Sequence, residues 1–245
     1  MNEVVFVGTS DAFGAGGRRQ SALVMRGARG TLLVDCGATT NTGLNDLGIA
    51  RDEIDAIVVS HFHGDHFGGI PLFLLGALYE DRRRHALEIA GPPEIEARVR
   101  ALADAMGHGL GDREWTFPIR FREVLPGVPH SLGPARVTSF ETHHQLEAHP
   151  HGYRIELGGR TLVYSGDTGW FPALPRLAAG ADLFVCECTL YDERLDFHLS
   201  LEQLIEQREA FDVGGLVLTH LGTSMTDRRG RCELDTADDG LIVKL

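Results

Sequence analysis

The chain has 245 residues, of which 43% are hydrophobic, and its formal net charge at pH 7 is −12. This length and apolar content suffice for a large buried core, and the acidic balance argues against a broad nucleic-acid-binding surface. The four cysteines are too few and too scattered for a disulfide scaffold, and no run of apolar residues is long enough to predict a membrane span.

No segment rich in proline, serine or glycine divides the chain, so we expect a single domain over residues 1–245. The amino terminus, MNEVVFVGTS, lacks the basic stretch followed by an apolar one that marks a secretion signal, and it is typical of a strand. We therefore expect a cytoplasmic protein without a membrane partner.

Short apolar runs, many of them rich in β-branched residues, recur along the whole chain and predict strands. The runs are EVVFVG, SALVMR, TLLVDC and IDAIVVSH in the first 61 residues, and ARVTSFE, GYRIEL, RTLVYSGD, ADLFVCE and GGLVLTH later. TLLVDC and IVVSH are almost uninterrupted in apolar character, which is expected of strands covered on both faces.

Helical patterns are fewer than strand patterns. They cover residues 41–50, 70–84, 92–106 and 200–211. Ser200 is the expected amino-terminal cap of the last one, and the three arginines at 82–84 are interpreted as the solvated end of the second. Mixed strands and helices, in an order that repeats loosely in two halves, predict an α/β protein with its helices outside.

Residues 107–118, GHGLGDREWTFP, contain three glycines and show no clear periodicity. Two interpretations are open: an ordinary surface connection, or a mobile lid over a site.

The segment VVSHFHGDHFGG, residues 58–69, places metal-binding side chains directly after an apolar strand. His61, His63, Asp65 and His66 lie within six positions, and imidazole and carboxylate are suitable ligands for Zn²⁺ and related ions. Four such groups this close in sequence would not all reach one ion with unstrained coordination geometry. Two groups on each of two neighbouring ions is the easier geometry.

Further candidate ligands also end predicted strands. They are His143 or His144 in VTSFETHHQ, Asp167 in TLVYSGDTG and His220 in GGLVLTHLG. Asp167 has two carboxylate oxygens and could bridge two ions, with a solvent position shared between them. A single histidine after a strand is usually a surface or hydrogen-bonded residue. The agreement of four strand ends, however, favours a metal centre.

SHFHGDHFGG resembles the HxHxDH signature of the metallo-β-lactamase superfamily, YSGDT resembles its bridging-aspartate motif, and VLTH resembles its final histidine motif. The matches run in order over nearly the whole chain. The resemblance implies a four-layer αββα sandwich of two similar halves, with the site at one edge of the paired sheets. It also implies two divalent metal ions, Zn²⁺ or alternatively Mn²⁺. The implied ligand sets are His61, His63, His144 and Asp167 for one ion, and Asp65, His66, Asp167 and His220 for the other.

The family's spacing, counted from Val137 in the preceding strand, indicates His144 as the ligand, and His143 is the alternative. The nearby His149 and His151 are interpreted as loop residues that could line the entrance to the site.

Other stretches resemble ribonuclease Z and its phosphodiesterase relatives, namely FVGTSDAFG, LLVDCG and HGYRIE. CECT at 186–189 stands where those enzymes carry a His-Glu-Ala-Thr element, and His198 stands where they place a histidine before a helix. The resemblance makes His198 a candidate catalytic residue that supplies or manages a proton, with Glu187 orienting it. Asp65 is the second candidate catalytic residue. The alternative for His198 is a neighbour of a helix cap without a catalytic part.

One departure from ribonuclease Z concerns its substrate. Those enzymes carry a long arm that binds transfer RNA. In the bacterial form the arm projects between the GYRI strand and the GDT strand, and in this chain only ELGGRTLVYS separates those two motifs. CECT also lacks the first histidine of the element that it replaces. Together with the acidic charge, these differences favour a small phosphodiester, linear or cyclic, over RNA.

Other functions remain open. The same metal pair could act on a carboxylic ester, a lactone, a thioester or a sulfate ester. Diiron proteins of this fold, which handle oxygen or nitric oxide, carry a glutamate where this chain has His63. A non-catalytic metal-binding partner or sensor is a fourth interpretation. Dimers are common in this branch, so the resemblance also implies a homodimer.

Overall fold

A computed structural model of the chain describes residues 2–111 and 113–245, which form two seven-stranded sheets with helices on their outer faces. The strands are β1 (Glu3–Gly8), β2 (Ala22–Gly27), β3 (Gly30–Val34), β4 (Ala56–Val58), β5 (Leu87–Gly91), β6 (Ile119–Glu123), β7 (Pro129–Leu132), β8 (Ala135–Glu141), β9 (His151–Leu157), β10 (Arg160–Tyr164), β11 (Leu183–Glu187), β12 (Leu216–Thr219), β13 (Asp235–Thr236) and β14 (Ile242–Lys244). The helices are α1 (Thr40–Asp46), α2 (Gly64–Phe67), α3 (Ile70–Tyr79), α4 (Ile95–Ala105), α5 (Leu174–Ala178), α6 (Leu201–Glu206) and α7 (Thr223–Thr226).

The two sheets repeat one arrangement. The first has the order β14-β1-β2-β3-β4-β5-β6, and the second has the order β13-β12-β11-β10-β9-β8-β7. In the first sheet, β14, β1, β2 and β3 pair antiparallel and β3 to β6 pair parallel. In the second sheet, β7 to β10 pair antiparallel and β10 to β13 pair parallel. This repetition agrees with the two similar halves predicted from the sequence.

The core has three layers because side chains of a strand alternate between its two faces. Val4 and Phe6 of β1 lie in a central cluster between the sheets, which also contains Tyr164 of β10. Val5 of β1 lies instead in an outer cluster under α3 and α4, and Phe184 belongs to a second outer cluster under α5 and α6. The resulting order of helices, sheet, sheet and helices confirms the predicted αββα sandwich.

The element predictions agree with the structure in most places. For example, Ser200 caps α6, where its side-chain oxygen accepts a hydrogen bond from the Gln203 N–H at 3.4 Å. Among the residues that the structure describes, no helix is both long and apolar enough to cross a bilayer.

The interpretation of the three arginines at 82–84 as a solvated helix end is wrong for the helix end and for Arg83, whereas Arg82 and Arg84 are exposed. Helix α3 ends at Tyr79, and Arg83 in the following connection is fully buried. Its guanidinium donates hydrogen bonds to the carbonyl oxygens of Arg51, His85 and Ala86 at 3.1, 3.0 and 2.9 Å. Buried carbonyl groups need hydrogen-bond donors, and Arg83 supplies them to His85 and Ala86 and adds a second donor to Arg51, whose carbonyl also accepts from the Ile54 N–H.

The structure describes residues 107–118 except for residue 112. At that one position the lid interpretation lies outside the described residues. Trp115 donates a hydrogen bond from its indole nitrogen to the Leu110 carbonyl at 2.7 Å. Leu110 and Phe117 are buried in the outer cluster under α4. This packing favours the surface connection over the lid for the described part.

Candidate metal centre

Parallel strands of a sheet direct their carboxyl ends to the same edge, where α/β proteins place their sites. The loop after β4 carries His61 and His63, and the short helix α2 that follows carries Asp65 and His66. In the second sheet, residues just beyond the ends of β8, β10 and β12 are His144, Asp167 and His220. The two edges face each other, and these seven side chains meet between them.

The first group consists of His61, His63, His144 and Asp167. The Nε2 atoms of His61 and His144 each lie 3.1 Å from Nδ1 of His63. They lie 3.8 and 3.9 Å from one carboxylate oxygen of Asp167.

The second group consists of Asp65, His66, Asp167 and His220. Nε2 of His66 lies 3.1 Å from Asp65 and 3.4 Å from the other oxygen of Asp167. Nε2 of His220 lies 3.4 Å from Asp65 and 3.3 Å from Asp167. All seven residues predicted as ligands are therefore brought together in the predicted groups. Their role as ligands stays a prediction.

The spacing of these atoms fits a metal centre. Two ligand atoms on a tetrahedral zinc ion with bonds of about 2.1 Å lie about 3.4 Å apart, and the distances above bracket that value. Nε2 of His66 and Oδ1 of Asp167 are also buried, and although they lie 3.4 Å apart, neither makes a hydrogen bond of suitable geometry with the described residues. Buried polar atoms without partners are unfavourable, and a cation between them would satisfy both.

The electrostatics of the cluster lead to the same conclusion. Burial would raise the pKa of Asp167, but His220 and His66 together hold that pKa well below its ordinary value. Burial would lower the pKa of His66, but the carboxylates of Asp167, Asp65 and Asp35 hold it well above its ordinary value. The anionic carboxylates therefore stabilise positive charge at the centre of the cluster.

Each of the five histidines has its remaining ring nitrogen held by one neighbour. The pairs are His61 Nδ1 with Ser60 Oγ (3.0 Å), His66 Nδ1 with Asp35 Oδ2 (2.7 Å), His144 Nδ1 with the Phe197 carbonyl (2.9 Å), His220 Nδ1 with Thr189 Oγ1 (2.8 Å) and His63 Nε2 with Gln145 Oε1 (3.2 Å). Such partners orient the rings of metal-binding histidines and fix their tautomers.

Sequence reasoning missed Asp35. Its carboxylate accepts hydrogen bonds from the Ser60 N–H at 2.7 Å, from the Ser60 hydroxyl at 2.9 Å, and from the Tyr164 hydroxyl at 2.9 Å, in addition to His66. Asp35 also has a positive φ of 62°, which an aspartate tolerates better than most residues. The available signal was an acidic residue at the end of TLLVD, a predicted strand that in the structure pairs with the one leading to His61.

His198 lies at the rim of the cluster and pairs with Glu187. Its Nδ1 donates to Glu187 Oε1 at 2.8 Å, and its ring lies 5.0 Å from that of His144 and 5.6 Å from that of His220. Burial opposes protonation of His198, but the charge and hydrogen bond of Glu187 outweigh it and raise the pKa to about 9. The contact with Glu187 is the one expected from the sequence. The catalytic roles of His198 and Asp65 stay predictions.

Thr189 was also missed. Its hydroxyl donates to Glu187 Oε2 at 3.0 Å and accepts from His220 Nδ1, so it joins the His198–Glu187 pair to the second group. No pattern in CECT indicates this role, because the contact with His220 spans 31 positions of the sequence.

His143 faces away from the cluster that contains His144. Its ring stacks on Phe171 with centroids 4.7 Å apart, and its N–H donates to Thr168 Oγ1 at 3.0 Å. With His149 and His151, it lines a cavity of about 500 Å³ beside the cluster.

Comparisons with known proteins agree with this fold. The model of a family described as Anti-Pycsar protein Apyc1 matches residues 2–235. A ribonuclease Z of Mycobacterium sp. (strain KMS) is 29% identical over 239 residues, which cover 90% of this chain and 84% of that protein. Among solved structures, the metallo-β-lactamase fold protein YhfI from Bacillus subtilis has a TM-score of 0.79 at 21% identity and 100% coverage of both chains. The short form of human tRNase Z has a TM-score of 0.78 at 24% identity, covering 99% and 98% of the two chains. The metallo-β-lactamase fold and the resemblance to ribonuclease Z are thereby confirmed.

Proposed function

This chain belongs to the family of the Anti-Pycsar protein Apyc1, and we propose that it is a metal-dependent hydrolase of small phosphodiesters. The observation that carries the proposal is Asp167, a buried carboxylate that belongs to both groups. Its Oδ2 lies 3.8, 3.9 and 3.3 Å from His61, His144 and His220, and its Oδ1 lies 3.4 Å from His66. The name of its relatives, ribonuclease Z, points to the phosphodiester as the kind of bond that is cleaved.

We propose two divalent ions, Zn²⁺ in the first instance and Mn²⁺ as the alternative, one in each group. The donor set of imidazole and carboxylate suits both metals. When bound, such a pair of ions lowers the pKa of a water molecule and polarises the phosphoryl group.

The chain's own residues would manage the protons. His198 has Nδ1 bound to Glu187, which leaves Nε2 available to the substrate, and its raised pKa keeps it protonated at neutral pH. It would donate this proton to the leaving oxygen as the bond from phosphorus to that oxygen breaks, and solvent would protonate it again. Asp65, beside His66 and His220, would accept a hydrogen bond from the attacking water.

A small substrate is favoured over transfer RNA by the connection between β9 and β10. Only Gly158 and Gly159 join these strands, with φ values of 59° and 80°, so the hairpin has no room for a gripping arm. The formal charge of −12 would also repel a polyanion at long range.

The proposal is tested with bis-p-nitrophenyl phosphate, a linear dinucleotide and a cyclic mononucleotide as substrates. We expect zinc- or manganese-loaded protein to hydrolyse at least one of them, and we expect both chelation and Asp167→Ala to reduce the rate to that of the blank. His143→Ala is the matched control and should retain most of the activity. Lactone or carboxylic ester cleavage without phosphodiester cleavage would instead support the alternative substrates, and preferential cleavage of precursor transfer RNA would support a ribonuclease.

A further inference from the structure

His63 differs from the other four histidines of the cluster. It presents Nδ1 to its neighbours, whereas His61, His66, His144 and His220 present Nε2. Those four are at most 4% exposed, but His63 is only partly buried. Its ring is therefore the one that the surrounding protein holds least tightly by packing.

The contact that orients the His63 ring comes from Gln145. The amide oxygen of Gln145 lies 3.2 Å from Nε2 of His63. An amide oxygen only accepts hydrogen bonds, so Nε2 must carry the hydrogen and Nδ1 of the neutral ring must be unprotonated. Nδ1 is the atom that faces His61 and His144, where a ligand lone pair is needed.

Gln145 also joins two loops that carry predicted ligands. It directly follows His144, and a few residues later the Ala148 carbonyl accepts a hydrogen bond from the Phe62 N–H at 2.9 Å. The backbone contact thus holds the two loops together, and the Gln145 side chain adds the contact that sets the His63 ring. Removal of that exposed side chain should leave the loop contact intact.

The partner of His66 is of a stronger kind. Asp35 is a fully buried carboxylate 2.7 Å from His66 Nδ1, whereas Gln145 is an exposed, neutral amide at 3.2 Å. Hydrogen bonds to a charged acceptor are roughly twice as strong as those between neutral groups. We propose that Gln145 is a positioning residue that sets the metal affinity of the first group, and that this group releases its ion more readily than the second. The inference rests on the metal centre of the proposed function.

The test is a zinc titration of the full chain, cleared of metal, against a chromogenic chelator. The wild-type protein should bind zinc in two steps of different affinity. Gln145→Ala should weaken the weaker step by about ten- to a hundredfold and leave the tighter step unchanged. Gln145→Glu, which keeps an accepting oxygen, should restore the weaker step. Glu147→Gln, a change at an exposed position of the same turn, is the control and should leave both steps unchanged.

A second readout is specific to ring orientation. Nitrogen-15 spectra of the metal-free chain at pH 8 should show His63 as the Nε2–H tautomer in the wild type and as a mixture of tautomers in Gln145→Ala. Unchanged affinities and an unchanged tautomer in Gln145→Ala would overturn the proposal, as would a wild-type chain that binds no zinc. Both readouts are independent of hydrolysis, so zinc binding in two steps without phosphodiesterase activity would refute the proposed function and leave the role of Gln145 standing.

Discussion

Adjacent histidines can have unrelated roles, as His143 and His144 illustrate. The two residues lie in a bend just after β8, and their side chains contact different parts of the molecule. His144 joins the first group through its Nε2 atom, while His143 stacks on Phe171 and lines the neighbouring cavity. The family's spacing also indicates His144, and substitution of each histidine tests this register directly.

We expect His144→Ala to lower the zinc content from about two ions per chain to about one, because the first group loses one of its four donors. His143→Ala should retain the wild-type content. Both contents can be measured by elemental analysis after gel filtration in a buffer without free zinc. Loss of metal from His143→Ala together with full retention in His144→Ala would show that the assignment is off by one position.

The proton on His198 predicts an alkaline limit to activity. Its pKa is raised to about 9, so its donor form prevails below that pH and is lost as the pH rises through it. Bound cations would partly offset this increase in pKa, so kcat/KM should begin to fall at or below about pH 9. This decline is the alkaline limb of the pH profile. Glu187→Gln removes the main cause of the raised pKa and should move the limb towards about pH 6.5.

The measurement is kcat/KM against pH for the wild type, Glu187→Gln and His198→Ala. In His198→Ala the limb should disappear and the rate should fall by roughly a hundredfold or more, as is typical when a general acid is removed. If the limb keeps its place in both variants, His198 has no part in the proton transfer.

At the scale of secondary-structure elements, local sequence patterns predicted most of the observed strands and helices. Runs of β-branched residues predicted the strands because the preference for a pleated, half-buried backbone is a local property. The predicted ligands were identified because each follows the end of such a run. Asp35, Thr189 and Gln145 were missed because their partners lie 31, 31 and 82 positions away, a distance at which no sequence pattern is expected.

The connection after α3 shows where charge patterning misleads. A run of three arginines predicted solvent, yet Arg83 turns inward while Arg84 beside it is exposed. Arg83→Ala would remove the guanidinium donor from the carbonyl groups of His85 and Ala86, and from that of Arg51, which keeps its hydrogen bond from the Ile54 N–H. We expect a loss of about 2–4 kcal/mol in the free energy of unfolding, measured by urea denaturation. Arg84→Ala should change it by less than about 0.5 kcal/mol, and equal effects of the two changes would contradict this account.

At the scale of the whole molecule, the candidate metal centre lies between the two sheets. The loop and helix after β4 supply four of the seven predicted ligands, and the second sheet supplies His144, Asp167 and His220. Each group contains residues from both sides, so an ion in either group would link the sheets across their shared edge. Below the cluster, the Tyr164 hydroxyl makes a further link by its hydrogen bond to Asp35, 129 positions away.

Because ions would link the two sheets only in the folded state, zinc should raise the unfolding temperature. A ligand at about 100 times its dissociation constant stabilises a protein by about 2.7 kcal/mol per site, which corresponds to roughly 5–10 °C for a domain of this size. Calorimetry with zinc and with chelator measures the difference. Asp167→Ala should lose most of the zinc-dependent shift, since both groups share that carboxylate, whereas His143→Ala should keep it. If zinc binds to the wild type without raising its unfolding temperature, the ions do not connect the two halves.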